Sequence, residues 1–122
     1  MTLTASMEDY LEAALVLQQK KGYVRCVDIA EYLEVTKPSV SRAVKELGKK
    51  GYLVRKEDGT LFLTSHGEQV AERVRERHCF FAERLIAIGV DAKTAETDAC
   101  RMEHGISDES FAKLKAKYQK EA

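Results

Sequence analysis

Net charge is the first thing this chain lacks: twenty Lys and Arg balance twenty Asp and Glu over 122 residues. Whole-chain charge therefore gives no ground for expecting nucleic acid, and only the distribution of charge can. No apolar run is long enough to span a bilayer and the N-terminus shows no signal-peptide pattern, so no membrane partner is expected. Cys26, Cys79 and Cys100 are an odd number without disulfide or zinc-ribbon spacing. Reduced thiols and a cytoplasmic location are the expectation from that usage. There is no internal repeat or low-complexity segment. No phosphate-binding loop or oxyanion cradle is visible, so an enzyme is not expected. The length suits one compact domain, or a small domain with a dimerisation arm.

What is present is a patterned stretch from Val27 to Leu47. Ile29, Ala30 and Leu33 give a first short helix an apolar stripe. Val40, Ala43, Val44 and Leu47 give a second helix the same, at helical spacing. Val35 is placed to plug the corner between them. Thr36 is a good N-cap, and Pro38, the single proline, fits the first turn, where a missing N–H costs nothing. Ser39, Ser41, Arg42 and Lys45 are then left exposed near the start of the second helix. A helix-turn-helix needs this layout: small donors and a long cation at the tip that enters the major groove. An ordinary helical corner with a polar outer face is the plainer alternative.

Charge distribution favours the first reading. Between Lys37 and Asp58 there are seven bases (Lys37, Arg42, Lys45, Lys49, Lys50, Arg55, Lys56) against three acids. A basic patch on a balanced protein is the footprint of a phosphate-binding face. Tyr52–Lys56 and Thr60–Thr64 are β-rich runs flanking Glu57-Asp58-Gly59, a strong hairpin signal. A hairpin directly after a helix-turn-helix is a wing, which makes Arg55 and Lys56 candidate phosphate contacts. Lys37, Pro38, Ser39, Ser41, Arg42 and Lys45 complete the expected DNA-facing set.

The first helix is expected to start after Ser6, with Ser6 and Asp9 as a capping box, and to bury Tyr10, Leu11, Ala14, Leu15 and Leu17. Ser65 with Glu68 is expected to cap a long helix reaching about Ile88, with Val70, Val74, Phe81, Leu85 and Ile88 on its buried side. Gly89 stops it. Asp91 caps a helix of roughly Ala92 to His104, and Ser107 caps a last one carrying Phe111, Leu114 and Tyr118. Winged-helix function needs only about the first 70 residues. Apolar helices appended to such a unit most often build a two-fold dimer for paired half-sites.

His78 sits on the long helix, and Cys100, Glu103 and His104 sit at i, i+3, i+4 on the next. That spacing aims the last three side chains at one side. Imidazole, thiolate and carboxylate together suit a divalent transition metal. Asp9 and Glu12, three apart on the first helix, bring the candidate ligands to six. Each alone has a plain explanation: a surface histidine, a small core cysteine, a solvated first turn. Together they form a metal-site pattern, although spacing alone does not bring three helices together.

Ser6–Glu12, Asp28–Glu31, Pro38–Ser41, Leu63–Gly67, Arg77-His78, Gly89–Asp91, and Asp98–His104 followed by Ile106-Ser107 occur in that order. With these blocks the chain resembles, over nearly its whole length, the diphtheria toxin repressor family of metal-dependent transcriptional regulators. In having no further C-terminal domain it resembles the shorter manganese-transport-regulator branch, which lacks an SH3-like domain. The resemblance implies a mainly α fold: a winged helix-turn-helix DNA-binding domain (1–70), then a helical metal-binding and dimerisation domain (71–122). It also implies a homodimeric repressor of metal-homeostasis genes that binds double-stranded operator DNA, with Fe²⁺ or Mn²⁺ as co-repressor. Co²⁺ or Zn²⁺ is expected to substitute in vitro. Asp9, Glu12, His78, Glu103 and His104 match the manganese-type ligands. Cys100 stands where that branch has Glu and the iron-type branch has Cys, whereas Asp9 stands where the iron-type branch has Met. Ala82 and Glu96 occupy the places of a Glu and a His of the iron-type ancillary site, and Cys100 replaces one of the carboxylates that bridge a second metal in the manganese branch, so the resemblance implies one well-formed site, with a second, weaker one left open. Three rivals stand beside this; a metal-storage or interaction protein would have no use for the Asp-Gly wing and basic helix, and the other two use the same residues differently. A metal-independent winged-helix regulator leaves the acids and histidines on the surface, and a small metalloenzyme uses Glu12 or Glu103 as a base beside metal-bound water.

Overall fold

The computed structural model describes residues 3–121. In chain order the elements are α1 (Ala5–Lys21), α2 (Cys26–Leu33), α3 (Lys37–Lys49), β1 (Leu53–Arg55), β2 (Leu61–Leu63), α4 (Ser65–Ala87), α5 (Ala92–Met102) and α6 (Asp108–Glu121). One compact unit runs through Arg73 and a second begins at Val74, so the division falls inside α4.

In the first unit the core is built on the predicted stripes. Leu11 of α1, Ile29 of α2, Val40 and Leu47 of α3, and Leu61 of β2 are almost fully buried together with Val24. Burying side chains of this size contributes roughly 1.5–3 kcal/mol each, which makes these contacts the main support of the unit. In α1 every residue from Tyr10 to Leu17 is buried, a wider apolar surface than the one face expected. The helix starts earlier than its sequence indicated. Thr4, not Ser6, is the N-cap, and its hydroxyl accepts from Met7 N at 3.2 Å.

Thr36 caps α3 as expected, with Pro38 in the first turn. The corner before it is made differently from the expectation. Val35 is largely exposed and does not plug it. Instead Glu34 takes a left-handed conformation (φ 57°), and Val35 N–H donates to Ala30 C=O at 3.0 Å. β1 and β2 pair antiparallel, with Leu53 opposite Leu63 and Arg55 opposite Leu61. Gly59 supplies the positive φ that the hairpin turn requires. Val24 C=O accepts from Leu61 N–H at 2.8 Å, which ties the link before α2 to the hairpin.

α4 is capped by Thr64 rather than by Ser65. The Thr64 hydroxyl accepts from Gly67 N at 3.1 Å and donates to Gly51 C=O at 2.7 Å. In the second unit Phe81, Ala82, Ala99 and Phe111 form a small core against Phe80 and Ile106. Phe80 meets Phe81, Phe111 and Tyr118 edge-on, with centroids 5.3–5.6 Å apart. Ile88, expected on the buried side of α4, is 79% exposed, and Leu85 is only half-buried, because the helix ends at Ala87. Asp91 caps α5, accepting from the Lys93 and Thr94 amides. Ser107 caps α6, accepting from Ser110 N at 3.1 Å. On α6 Phe111 is buried, whereas Leu114 and Tyr118 are substantially exposed.

Candidate metal centre and nucleic-acid interface

Lys37, Pro38, Ser41, Arg42 and Lys45 are all exposed on the outer side of α3, opposite the buried Val40, Val44 and Leu47. Ser39 departs from its expected place. It is half-buried, and its hydroxyl accepts from the Thr36 cap at 2.9 Å, so it helps fix the start of the helix. Between α3 and β1 a groove of about 240 Å³ is lined by Ser41, Lys45 and Arg55, with Val44, Gly48 and Leu53 beneath. Two cations and a hydroxyl facing one groove suit a phosphodiester oxygen. On the wing, Lys56 lies over the Phe62 ring with Nζ 5.5 Å from its centroid. Asp58 closes the wing turn by accepting from Thr60 N at 3.0 Å. That backbone hydrogen bond holds its carboxyl below the usual aspartate range, keeping it ionised at the tip.

In the second unit the predicted ligands of α4 and α5 come together around Glu103. Its side chain is fully buried. His78 Nδ1 lies 2.9 Å from Oε2 and His104 Nε2 lies 3.2 Å from Oε1. Cys100, Glu103 and His104 each offer a ligand atom within 4.8 Å of the others. α5 ends at Met102, so His104 lies just beyond the helix; Glu103 keeps helical angles as the C-cap. The i, i+3, i+4 clustering therefore survives the end of the helix. A buried carboxylate is costly unless a cation or strong donors meet it. Here two imidazoles and a thiol surround it, and all of them are metal-ligand groups. This donor set fits a divalent transition metal.

Asp9 and Glu12 lie on α1 in the first unit; Asp9 is half-buried and Glu12 is buried. Glu12 is thus not the solvated first-turn carboxylate of the plainer alternative. Ala82 is buried in the core of the second unit and offers no ligand. Two residues outside the expected set do work at the centre. Arg77 is buried and donates to the backbone carbonyls of Glu103, at 3.3 Å, and Ile106; it also pairs with Asp108. It holds the turn that carries Glu103 and His104. Its position beside His78 marked it in sequence, yet nothing there disclosed carbonyls as its partners. The second is Glu96, whose carboxylate meets His78 Nε2.

An exposed basic helix in one unit and a cluster of metal-ligand groups in the other fit a class, the metal-responsive DNA-binding regulators. Residues 2–61 match the family described as iron dependent repressor, N-terminal DNA binding domain. Residues 64–120 match iron dependent repressor, metal binding and dimerisation domain. The chain belongs to the iron dependent repressor family, and it is a transcriptional regulator and not an enzyme. It is 40% identical over 111 residues to the HTH-type transcriptional regulator MntR of Lysinibacillus sphaericus (strain C3-41), covering 91% of this chain and 80% of that protein. Among solved structures it is similar to T. acidophilum IdeR, with TM-score 0.79, 28% identity, and coverage of 98% of this chain and 55% of that one. It is also similar to a manganese-dependent transcriptional repressor in complex with manganese, with TM-score 0.81, 25% identity, and coverage of 91% and 51%. Among the described residues no helix is long and apolar enough to cross a membrane.

Proposed function

We propose that this chain is a homodimeric repressor whose operator affinity depends on a divalent ion held by Asp9, Glu12, His78, Cys100, Glu103 and His104. The observation that carries this is the buried Glu103 carboxylate, flanked by the imidazoles of His78 and His104. Asp9 and Glu12 would contribute carboxylates from the reading unit, and the other four donate from the dimerisation part. When bound, the ion supplies the positive charge that cancels repulsion among these carboxylates. The DNA-competent arrangement then becomes the favoured one, with two reading helices set for successive major grooves about 34 Å apart. Ser41 and Arg42 would reach base edges. Ser39, with Pro38 shaping the turn, would present the α3 amides. Lys37, Lys45, Arg55 and Lys56 would meet phosphates.

Mn²⁺ and Fe²⁺ are the proposed physiological ions. Carboxylates and imidazoles suit both, and one structural relative is described as manganese-dependent. The Cys100 thiolate is a softer donor and favours Fe²⁺, and in vitro Co²⁺ or Zn²⁺, over Mn²⁺. Operator binding measured by fluorescence anisotropy, with and without chelator and then with each metal restored, tests the proposal. Affinity should collapse on chelation and return with the ion. Undiminished affinity in chelator would leave the metal-independent regulator as the correct reading.

A further inference from the structure

Glu96 lies four residues before Cys100 on α5 and seven before the C-cap Glu103, so it sits on the side of the helix that carries Cys100 and leads to Glu103. Its Oε2 meets Nε2 of His78 on α4. The other nitrogen of the same imidazole, Nδ1, faces Glu103 Oε2 at 2.9 Å. One carboxylate on α5 and one at its C-cap therefore meet the ring at its two nitrogens. The two contacts differ in surroundings: the Glu103 side chain is fully buried, whereas that of Glu96 is 60% exposed.

A neutral imidazole carries one ring proton, so it donates through one nitrogen and offers a lone pair through the other. A metal-binding histidine must turn its lone pair to the ion, and the opposite N–H then needs an acceptor that fixes tautomer and ring orientation. We infer that Glu96 is a positioning residue of the metal centre, accepting the Nε2 proton of His78 and so presenting the Nδ1 lone pair on the Glu103 side. Glu96 and His78 touch directly, so Glu96 acts on the ion through the ring and is not a ligand itself. The inference rests on His78 being a ligand, as proposed above.

Glu96→Ala, Glu96→Gln and His78→Ala test it on the full chain. Calorimetric titration with Mn²⁺ and with Zn²⁺ gives affinity and stoichiometry. Long-range ¹H–¹⁵N correlation on the Zn²⁺-loaded protein identifies the protonated ring nitrogen. Glu96→Ala should weaken metal binding about 10- to 100-fold with stoichiometry unchanged. Glu96→Gln should recover most of the loss, because its amide oxygen accepts the same proton. His78 in the loaded wild type should carry its proton on Nε2. Loss of one bound metal per subunit in Glu96→Ala would make Glu96 a ligand and overturn the inference. So would unchanged affinity, or a proton found on Nδ1. If His78→Ala binds metal as wild type does, the ligand assignment beneath the inference fails, whatever Glu96 does.

Discussion

Cys100 is the side chain that most distinguishes this centre. Its thiol lies within ligand reach of Glu103 and His104, where an all-oxygen-and-imidazole set would suit a harder ion. Cys100→Glu should therefore move the metal ranking of operator binding toward Mn²⁺ and away from Zn²⁺ and Co²⁺. Anisotropy titrations with each metal give that ranking directly, and an unchanged order would remove the thiolate from the set. On the DNA side, Arg42 is exposed on α3, one residue after Ser41 and three before Lys45. If it reads a guanine, Arg42→Ala should cost about 1–3 kcal/mol on the preferred operator and relax preference at one base. An equal loss on every sequence would make it a phosphate contact.

Helix ends tie the reading unit together, and they are less local than the sequence suggested. Thr64 caps α4 while bonding Gly51 C=O, and Thr64 N–H donates to Tyr52 C=O at 3.1 Å. Gly67 completes this latch, since a Cβ there would stand 1.8 Å from the Tyr52 carbonyl oxygen. Gly67→Ala must push α4 off the hairpin and should cost about 3 kcal/mol, at the upper end for overpacking, in urea unfolding. At the other side of the unit, Asp28 joins α1 to α2. It accepts from Lys21 Nζ at 2.8 Å and from Arg25 N at 2.9 Å. The Lys21 hydrogen bond, helped by the Arg25 amide, holds the Asp28 carboxyl below its ordinary value near 3.8. The folded state thus favours the ionised form. Its stabilising contribution is complete above the ordinary value and is lost as pH falls through the lowered one. Asp28→Ala should be about 1 kcal/mol less stable than wild type at neutral pH. That gap should stay constant at pH well above the ordinary aspartate value and close as pH falls below it in pH-dependent denaturation.

For the molecule as a whole, the ion is linked to folding. The cluster around Glu103 is assembled only in the folded chain, so metal binding and stability rise together. Metal at about one hundred times its dissociation constant should add about 2.7 kcal/mol to the free energy of unfolding. Chemical denaturation with and without Mn²⁺ measures this, and a His104→Ala variant should lose most of the gain. The chain also matches its family in both parts, a DNA binding domain over residues 2–61 and a metal binding and dimerisation domain over residues 64–120.

Much of this was written in residue order. The apolar stripes of α2 and α3, Thr36 and Pro38 at the start of the reading helix, and the Asp-Gly wing follow from local periodicity, capping and turn chemistry. So does the clustering of Cys100, Glu103 and His104, because one helical turn determines it. Other features are contacts between residues far apart in the chain, and no spacing rule reports them. Thr64 rather than Ser65 became the cap because Gly51 C=O was there to receive its hydroxyl proton. Ile88 became exposed because its helix stopped one residue short of it. Arg77 found the carbonyls of a turn about thirty residues away, and Glu96 found the far nitrogen of His78. Local pattern settles which elements form and which donors they carry. Only packing decides which buried polar group meets which partner, since that depends on where separate helices come to rest.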